Sequence, residues 1–262
     1  MKAKSWLRTA LVICFSTTSI MAADRVKGDG NLTTKKISID DYNEIKIDGV
    51  IDFSYEQSET TPSMEVTIDK NLHQYVNIEV KDRVLSIGFK GAKVDHFTKF
   101  IVKSNSKWLK GAKVSGNGNF ILNTPLTGDE LEIKANANSL VQLKHLVTVS
   151  KLEMDVSGSA NMVIDDLKVD IIECNVDGSG SITLKNGSAK EGKYSIVSSG
   201  DIHAFGVAVP DLTCKITGNG SAEVHPTDNL KATIIGKGNI RYKGPTAVQQ
   251  KVIGKGTVEE VK

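Results

Sequence analysis

One short pattern returns along most of the chain after Lys113, and it constrains the fold more than any other feature. It reads β-branched residue, polar, small, polar, small, polar, and then usually an aliphatic. The copies begin at Val114 (VSGNGNF), Ile133 (IKANANS), Val156 (VSGSANM), Val176 (VDGSGSI), Ile196 (IVSSGDI), Ile216 (ITGNGSA), Ile234 (IIGKGNI) and Val252 (VIGKGTV). Repetition at this period announces stacked structural units. Taking the second small residue of each copy as the origin gives Gly118, Ala137, Ala160, Gly180, Gly200, Gly220, Gly238 and Gly256, at intervals of 19, 23, 20, 20, 20, 18 and 18 residues. Six positions before each origin stand Ala112, Leu131, Met154, Cys174, Tyr194, Cys214, Ala232 and Gln250. Even offsets are mostly apolar and odd ones polar, which is the two-residue period of a β-strand with one face buried.

Equal residue types at equal offsets imply copies lying over one another in register, as in parallel coils about 4.8 Å apart. A propeller blade needs roughly 40–50 residues and fits this period poorly. The expectation is therefore an all-β, parallel β-helix-like solenoid of about 18–20 residues per coil. Small inward residues suit a place where the coil wall bends or its opposite wall approaches closely. Cys174 and Cys214 share one inward slot with Tyr194 between them, so they should sit two coils apart, about 9–10 Å. A disulfide needs less than about 7 Å between Cα atoms, so two buried free thiols are expected.

Lys2, Lys4 and Arg8, the apolar run from Thr9 to Ile20 and the small pair Ala22–Ala23 have the form of a secretory signal peptide over residues 1–23. Without it the chain holds 30 basic and 31 acidic residues, a net charge of −1, and has no electrostatic basis for binding nucleic acid. Residues 24–36 are polar and read as a flexible leader. The single solenoid is expected over 37–262, with an irregular β-rich N-terminal cap and imperfect early coils at 37–105 and regular coils at 106–262. A short helical turn capped near Asp69 is expected after Val66-Thr-Ile-Asp69. At the other end Gln250 and Glu260 occupy inward slots, as the exposed last unit of a solenoid requires.

The blocks Ile47-Asp-Gly-Val-Ile-Asp-Phe-Ser-Tyr55, Val66-Thr-Ile-Asp-Lys-Asn-Leu72 and Val80-Lys-Asp-Arg-Val-Leu-Ser-Ile87, followed by Gly-x-Gly coils, resemble the GIN domain. This bacterial family is described as a putative autotransporter-adhesin head domain. The resemblance covers about residues 37–262. It implies an exported protein, a right-handed parallel β-helix-like fold and no established activity. No run of alternating membrane strands follows the repeats, unlike a true autotransporter.

The residues point to no catalytic centre. The five histidines form no His-x-His or His-x-x-x-His pair, although His203 and His225 lie on neighbouring coils with Asp201. Asp155, Asp177, Asp165, Asp166 and Asp170 raise the alternative of a Ca²⁺-dependent polysaccharide lyase or hydrolase. The nonapeptide calcium repeat is absent, however, and Arg241 is the only arginine after Arg83. No catalytic residue, metal site or cofactor is therefore expected. Two outward ladders flank the origins. One holds Asn117, Asn136, Ser159, Ser179, Ser199, Asn219, Lys237 and Lys255, the other Asn119, Asn138, Asn161, Ser181, Asp201, Ser221, Asn239 and Thr257. Such ladders either satisfy backbone at a bend or present a polyvalent face. The candidate binding face is Asn161, Ser181, Asp201, Ser221 and Asn239, with a glycan, cell-surface polymer or envelope protein as partner. The expected role is an exported, non-catalytic adhesin or binding scaffold in the periplasm, on the outer surface or outside the cell, with a purely structural envelope protein as the remaining alternative. No membrane span is expected after the signal peptide.

Overall fold

A computed structural model describes residues 25–261, of which 72% are strand and 3% helix, in a solenoid of about eight stacked parallel coils. The predicted signal peptide lies outside the described residues. A representative coil begins at Asn161 and has three sides, 161–164, 166–169 and 171–178. These pair in parallel with 181–184, 187–188 and 191–198 of the next coil. Met162, Ile164, Leu167, Val169, Ile172, Cys174 and Val176 alternate inward along it and are all buried. Each aliphatic thus lies over its counterpart in the coils above and below, and the core is a set of axial columns.

The bend after the longest side explains the small residues. Had Gly180 a Cβ, that atom would collide with the Ala160 carbonyl oxygen and come within 2.6 Å of Val156 Cγ1; at Gly220 the corresponding partners are the Gly200 carbonyl and Ile196 Cγ2. Two residues earlier the chain takes a positive φ, as at Gly178 (127°), Gly218 (128°) and Gly236 (128°). That conformation is reserved for glycine by the absence of a side chain.

One coil departs from the expected register by two residues. Ala135, not Ile133, pairs with Val156, and Ile133 pairs with Met154. The slot expected for Ala137 belongs to Ser139, which is fully buried, with its hydroxyl within reach of the carbonyls of Val114 (3.2 Å) and Asn136 (2.9 Å). Ala137 instead occupies the positive-φ turn (60°), stacked beneath Gly158 (72°). With Ser139 as its origin the spacing becomes 21, 21, 20, 20, 20, 18 and 18 residues. The mistaken alignment has a plain cause: two alanines mimicked the Gly-x-Gly pair, and a polar residue filled the core slot.

The block Ile47–Tyr55 is itself a coil. Ile47 pairs with Val114, Phe53 with Phe120 and Tyr55 with Leu122. Phe53 and Phe120 stack with ring centroids 5.9 Å apart. On its outer side it is covered by Val84–Phe89 and Ile101–Ser106, and antiparallel pairings of Ser63–Asp69 and Val76–Lys81 close the end. Residues 24–36, expected as a flexible leader, hold two paired strands. Arg25–Lys27 lies parallel to Lys93–His96, and Leu32–Ser38 runs antiparallel to Ser63–Asp69. Their polar composition concealed this, because they gain order from backbone pairing more than from burial.

A 3₁₀ helix, Lys70–Tyr75, occupies the expected place, but Asp69 does not cap it through its side chain. The buried Asp69 carboxylate instead accepts from the Gly30 amide (2.7 Å), the Thr98 amide (2.8 Å) and the Thr98 hydroxyl (2.9 Å). It ties three segments of the closed end together. At the opposite end nothing described stacks on Ala247–Gly254 and Thr257–Glu260. Gln250 and Glu260 are exposed there, and the inward Val252 is 39% exposed.

Candidate functional site

The five expected face residues form one continuous row. Asn161, Ser181, Asp201, Ser221 and Asn239 pair successively, and Thr257 extends the row. Parallel in-register stacking places them there, since each is the first residue after the bend of its coil. Part of their hydrogen-bonding capacity is used along the row. Ser181 Oγ donates to Asn161 Oδ1 (2.7 Å), and Thr257 Oγ1 donates to Asn239 Oδ1 (2.7 Å). Asn161 also donates to the carbonyl of Ser159 (3.3 Å). Leu140 interrupts the row between Asn119 and Asn161. Asn138 belongs to the other ladder, where its amide donates to Asn117 Oδ1 (3.1 Å). Asn136 leaves both ladders and bonds Ser115 and Ser157 on the long side.

The other sequence candidates separate in space. His203 sits beside Glu223 (Nδ1 to Oε2, 2.9 Å), which also accepts from Arg241 (2.8 Å). His225 is in register with Ala208, so the two histidines and Asp201 do not converge. Burial and the nearby Lys243 hold the His225 imidazole below its ordinary pKa. Asp155 pairs with Asn175 and Asp177 with Ser157, so those carboxylates occupy different rows.

The tightest carboxylate group among the described residues is Glu132, Glu153 and Asp155, with oxygens within 4.8 Å of one another. Lysines already occupy it. Lys134 reaches Glu132 (2.6 Å) and Asp155 (3.2 Å), and Lys151 reaches Glu153 (3.1 Å). The hydrogen bond to Glu132 is the main cause of the raised Lys134 pKa. Such an arrangement is an ion-pair network rather than an open cation site.

A groove of about 610 Å³ crosses the later coils, within the range of small-ligand sites. Gly192, Leu212 and Leu230, in register on successive coils, line it. Glu191 and Asp211 stand on one wall and Lys193 and Lys231 on the other.

The fold defines a class: a β-solenoid of stacked parallel coils. The profile described as putative auto-transporter adhesin, head GIN domain, matches residues 41–245, and the chain belongs to that family. It is 72% identical to a putative adhesin of Parabacteroides merdae, covering 92% of this chain and all of that one, with a TM-score of 0.91. Identity to a putative adhesin of Parabacteroides distasonis is 76%, over 91% of this chain and all of the other, with a TM-score of 0.90. A P. distasonis protein described as a putative lipid binding protein is 35% identical over 91% of this chain and its own full length, with a TM-score of 0.87. None of the curated proteins is similar to the chain. No helix among the described residues is long and apolar enough to cross a membrane.

Proposed function

We propose that this protein is exported to the cell envelope and works there as a non-catalytic adhesin or binding scaffold. The supporting observation is the unbroken row Asn161–Ser181–Asp201–Ser221–Asn239, which presents short hydrogen-bonding groups at the coil spacing on the outside of a rigid stack. A repeating polymer such as a glycan can meet such a row at several points, and weak contacts then add through effective concentration. Family membership and the adhesin descriptions of its relatives support the same reading. The test replaces Asn161, Ser181 and Ser221 together with Lys and compares attachment to cells and immobilised glycans at matched stability. Attachment falls while the melting temperature holds if the row binds. Unchanged attachment, or collapse of stability, makes the row scaffold and refutes its binding role.

A further inference from the structure

The long side of the solenoid changes character half-way along its length. In the coils at 131–138, 152–159 and 172–179 its outward positions carry Glu132, Glu153, Asp155, Glu173 and Asp177, with Lys134 among them. In the four later coils the same positions lose every carboxylate. They carry Lys193, Lys215, Lys231 and Lys251, and the adjoining bend adds Lys237 and Lys255. All six ammonium groups are exposed, and none forms an ion pair among the described residues. Carboxylates stand only at the margins of this area: Glu173 and Asp177 are in register with Lys193 and Val197 at the boundary with the earlier coils, and Glu191 and Asp211 line the groove.

Between the lysines runs an outward row Val197, Thr217, Ile235 and Ile253, paired coil to coil. Val197 is 46% exposed, Ile235 40% and Ile253 52%. In the earlier coils the same row reads Ser115, Asn136, Ser157 and Asp177, so the change is in the residues and not in the fold. Three exposed aliphatics in one outward row, broken only by Thr217, are a feature of interaction surfaces.

We infer that this half-face docks on an anionic lipid surface, with the aliphatic row entering the headgroup layer and the lysines pairing with lipid phosphates. The inference goes beyond the adhesion reading and does not depend on it, because it concerns a different side of the coil. Three features select lipid. Six cations without ion-pair partners, with carboxylates confined to the margins, complement a negatively charged leaflet. Aliphatics ringed by lysines whose stems can lie along apolar surface are the composition of an interfacial segment. Parallel pairing presents the row as one continuous sheet surface. A soluble polyanion would use the lysines and leave Val197, Ile235 and Ile253 wet. A second copy offering its acidic half would set Asn136, Ser157 and Asp177 against the stripe.

The experiment is co-sedimentation of the purified protein with phosphatidylcholine vesicles, with and without phosphatidylglycerol, at low and high salt. Binding is expected only with phosphatidylglycerol, and it should weaken as salt rises. Lys237→Glu with Lys255→Glu should lower partitioning about a hundredfold. Ile235→Ser with Ile253→Ser, which leaves the charge untouched, should lower it about tenfold. All four side chains point outward, and matched melting temperatures confirm that each variant is folded. Absence of binding to anionic vesicles overturns the inference, as does equal binding to pure phosphatidylcholine. Full binding by the isoleucine variant reduces the face to a polyanion site and also overturns it. So does a concentration-dependent dimer that the same variants dissociate.

Discussion

Gly180→Val tests the close approach of successive coils. The new Cβ would meet the Ala160 carbonyl oxygen, a backbone atom held by its own bond from the Ser181 amide (3.1 Å), and Val156 Cγ1 at 2.6 Å. Neither can rotate away, so the coils must part locally. Overpacking of this kind costs about 1–3 kcal/mol, and contact with fixed backbone places the variant at the upper end. For a chain of this size each kcal/mol lowers the melting temperature by about 2–4 °C, giving a fall of roughly 5–12 °C. Ser181→Val is the control. Its side chain points outward, it loses one exposed hydrogen bond to Asn161, and valine favours strands, so its change should stay within about 0.5 kcal/mol. Both are read by calorimetry or by thermal melts of strand circular dichroism. Equal losses at the two neighbouring positions would refute the inward–outward assignment.

Three further outcomes follow from particular residues. Burial alone would raise the Asp69 pKa, but the bonds from the Thr98 amide and hydroxyl and the Gly30 amide outweigh it and hold the group below the usual carboxylate range. Its contribution is therefore complete above about pH 4 and is lost as pH falls through the depressed folded value. Asp69→Asn, which sets an amide against those donors, should cost about 1–3 kcal/mol at neutral pH and flatten the acid limb of a stability–pH curve; an unchanged limb contradicts this. Ala137→Gly should raise stability by up to about 1 kcal/mol in denaturant titrations, because φ near 60° strains alanine and not glycine; a loss there would contradict the two-residue shift. Tyr194→Phe removes a buried hydroxyl that has no partner, so it should be neutral or stabilising by about 1 kcal/mol, and a marked loss would reveal a bond to that oxygen.

Much of the fold was legible because a stacked architecture writes the same constraint into every coil. Gly180, Gly200, Gly220 and Gly238 each face the preceding coil, so the slot recurs in the sequence as glycine. Legibility failed where chemistry substituted for size. Ser139 fills a core slot by bonding its hydroxyl to local carbonyls, and nothing in residue type distinguishes it from a surface serine. The closed end was least readable. Asp69, Gly30 and Thr98 are brought together by antiparallel returns and obey no period. The five polar residues of the corner row were readable as a row, because the bend sits at the same offset in each coil. The lysine and isoleucine half-face was hidden for another reason. It is defined by a contrast between early and late coils, which appears only when outward columns are compared along the whole stack.

Parallel stacking itself is tested most directly by counting thiols. Cys174 and Cys214 are both buried and free, each in register with Tyr194 on opposite sides. Burial pushes the Cys214 thiol up to about 12 and raises Cys174 as well, so neither should react with iodoacetamide while the protein is folded. Alkylation in denaturant without reductant, followed by mass spectrometry, should then label both cysteines, one coil intervening between them. A Cys174–Cys214 bridge in the oxidised protein would require their Cα atoms within about 7 Å, a distance this stack does not allow.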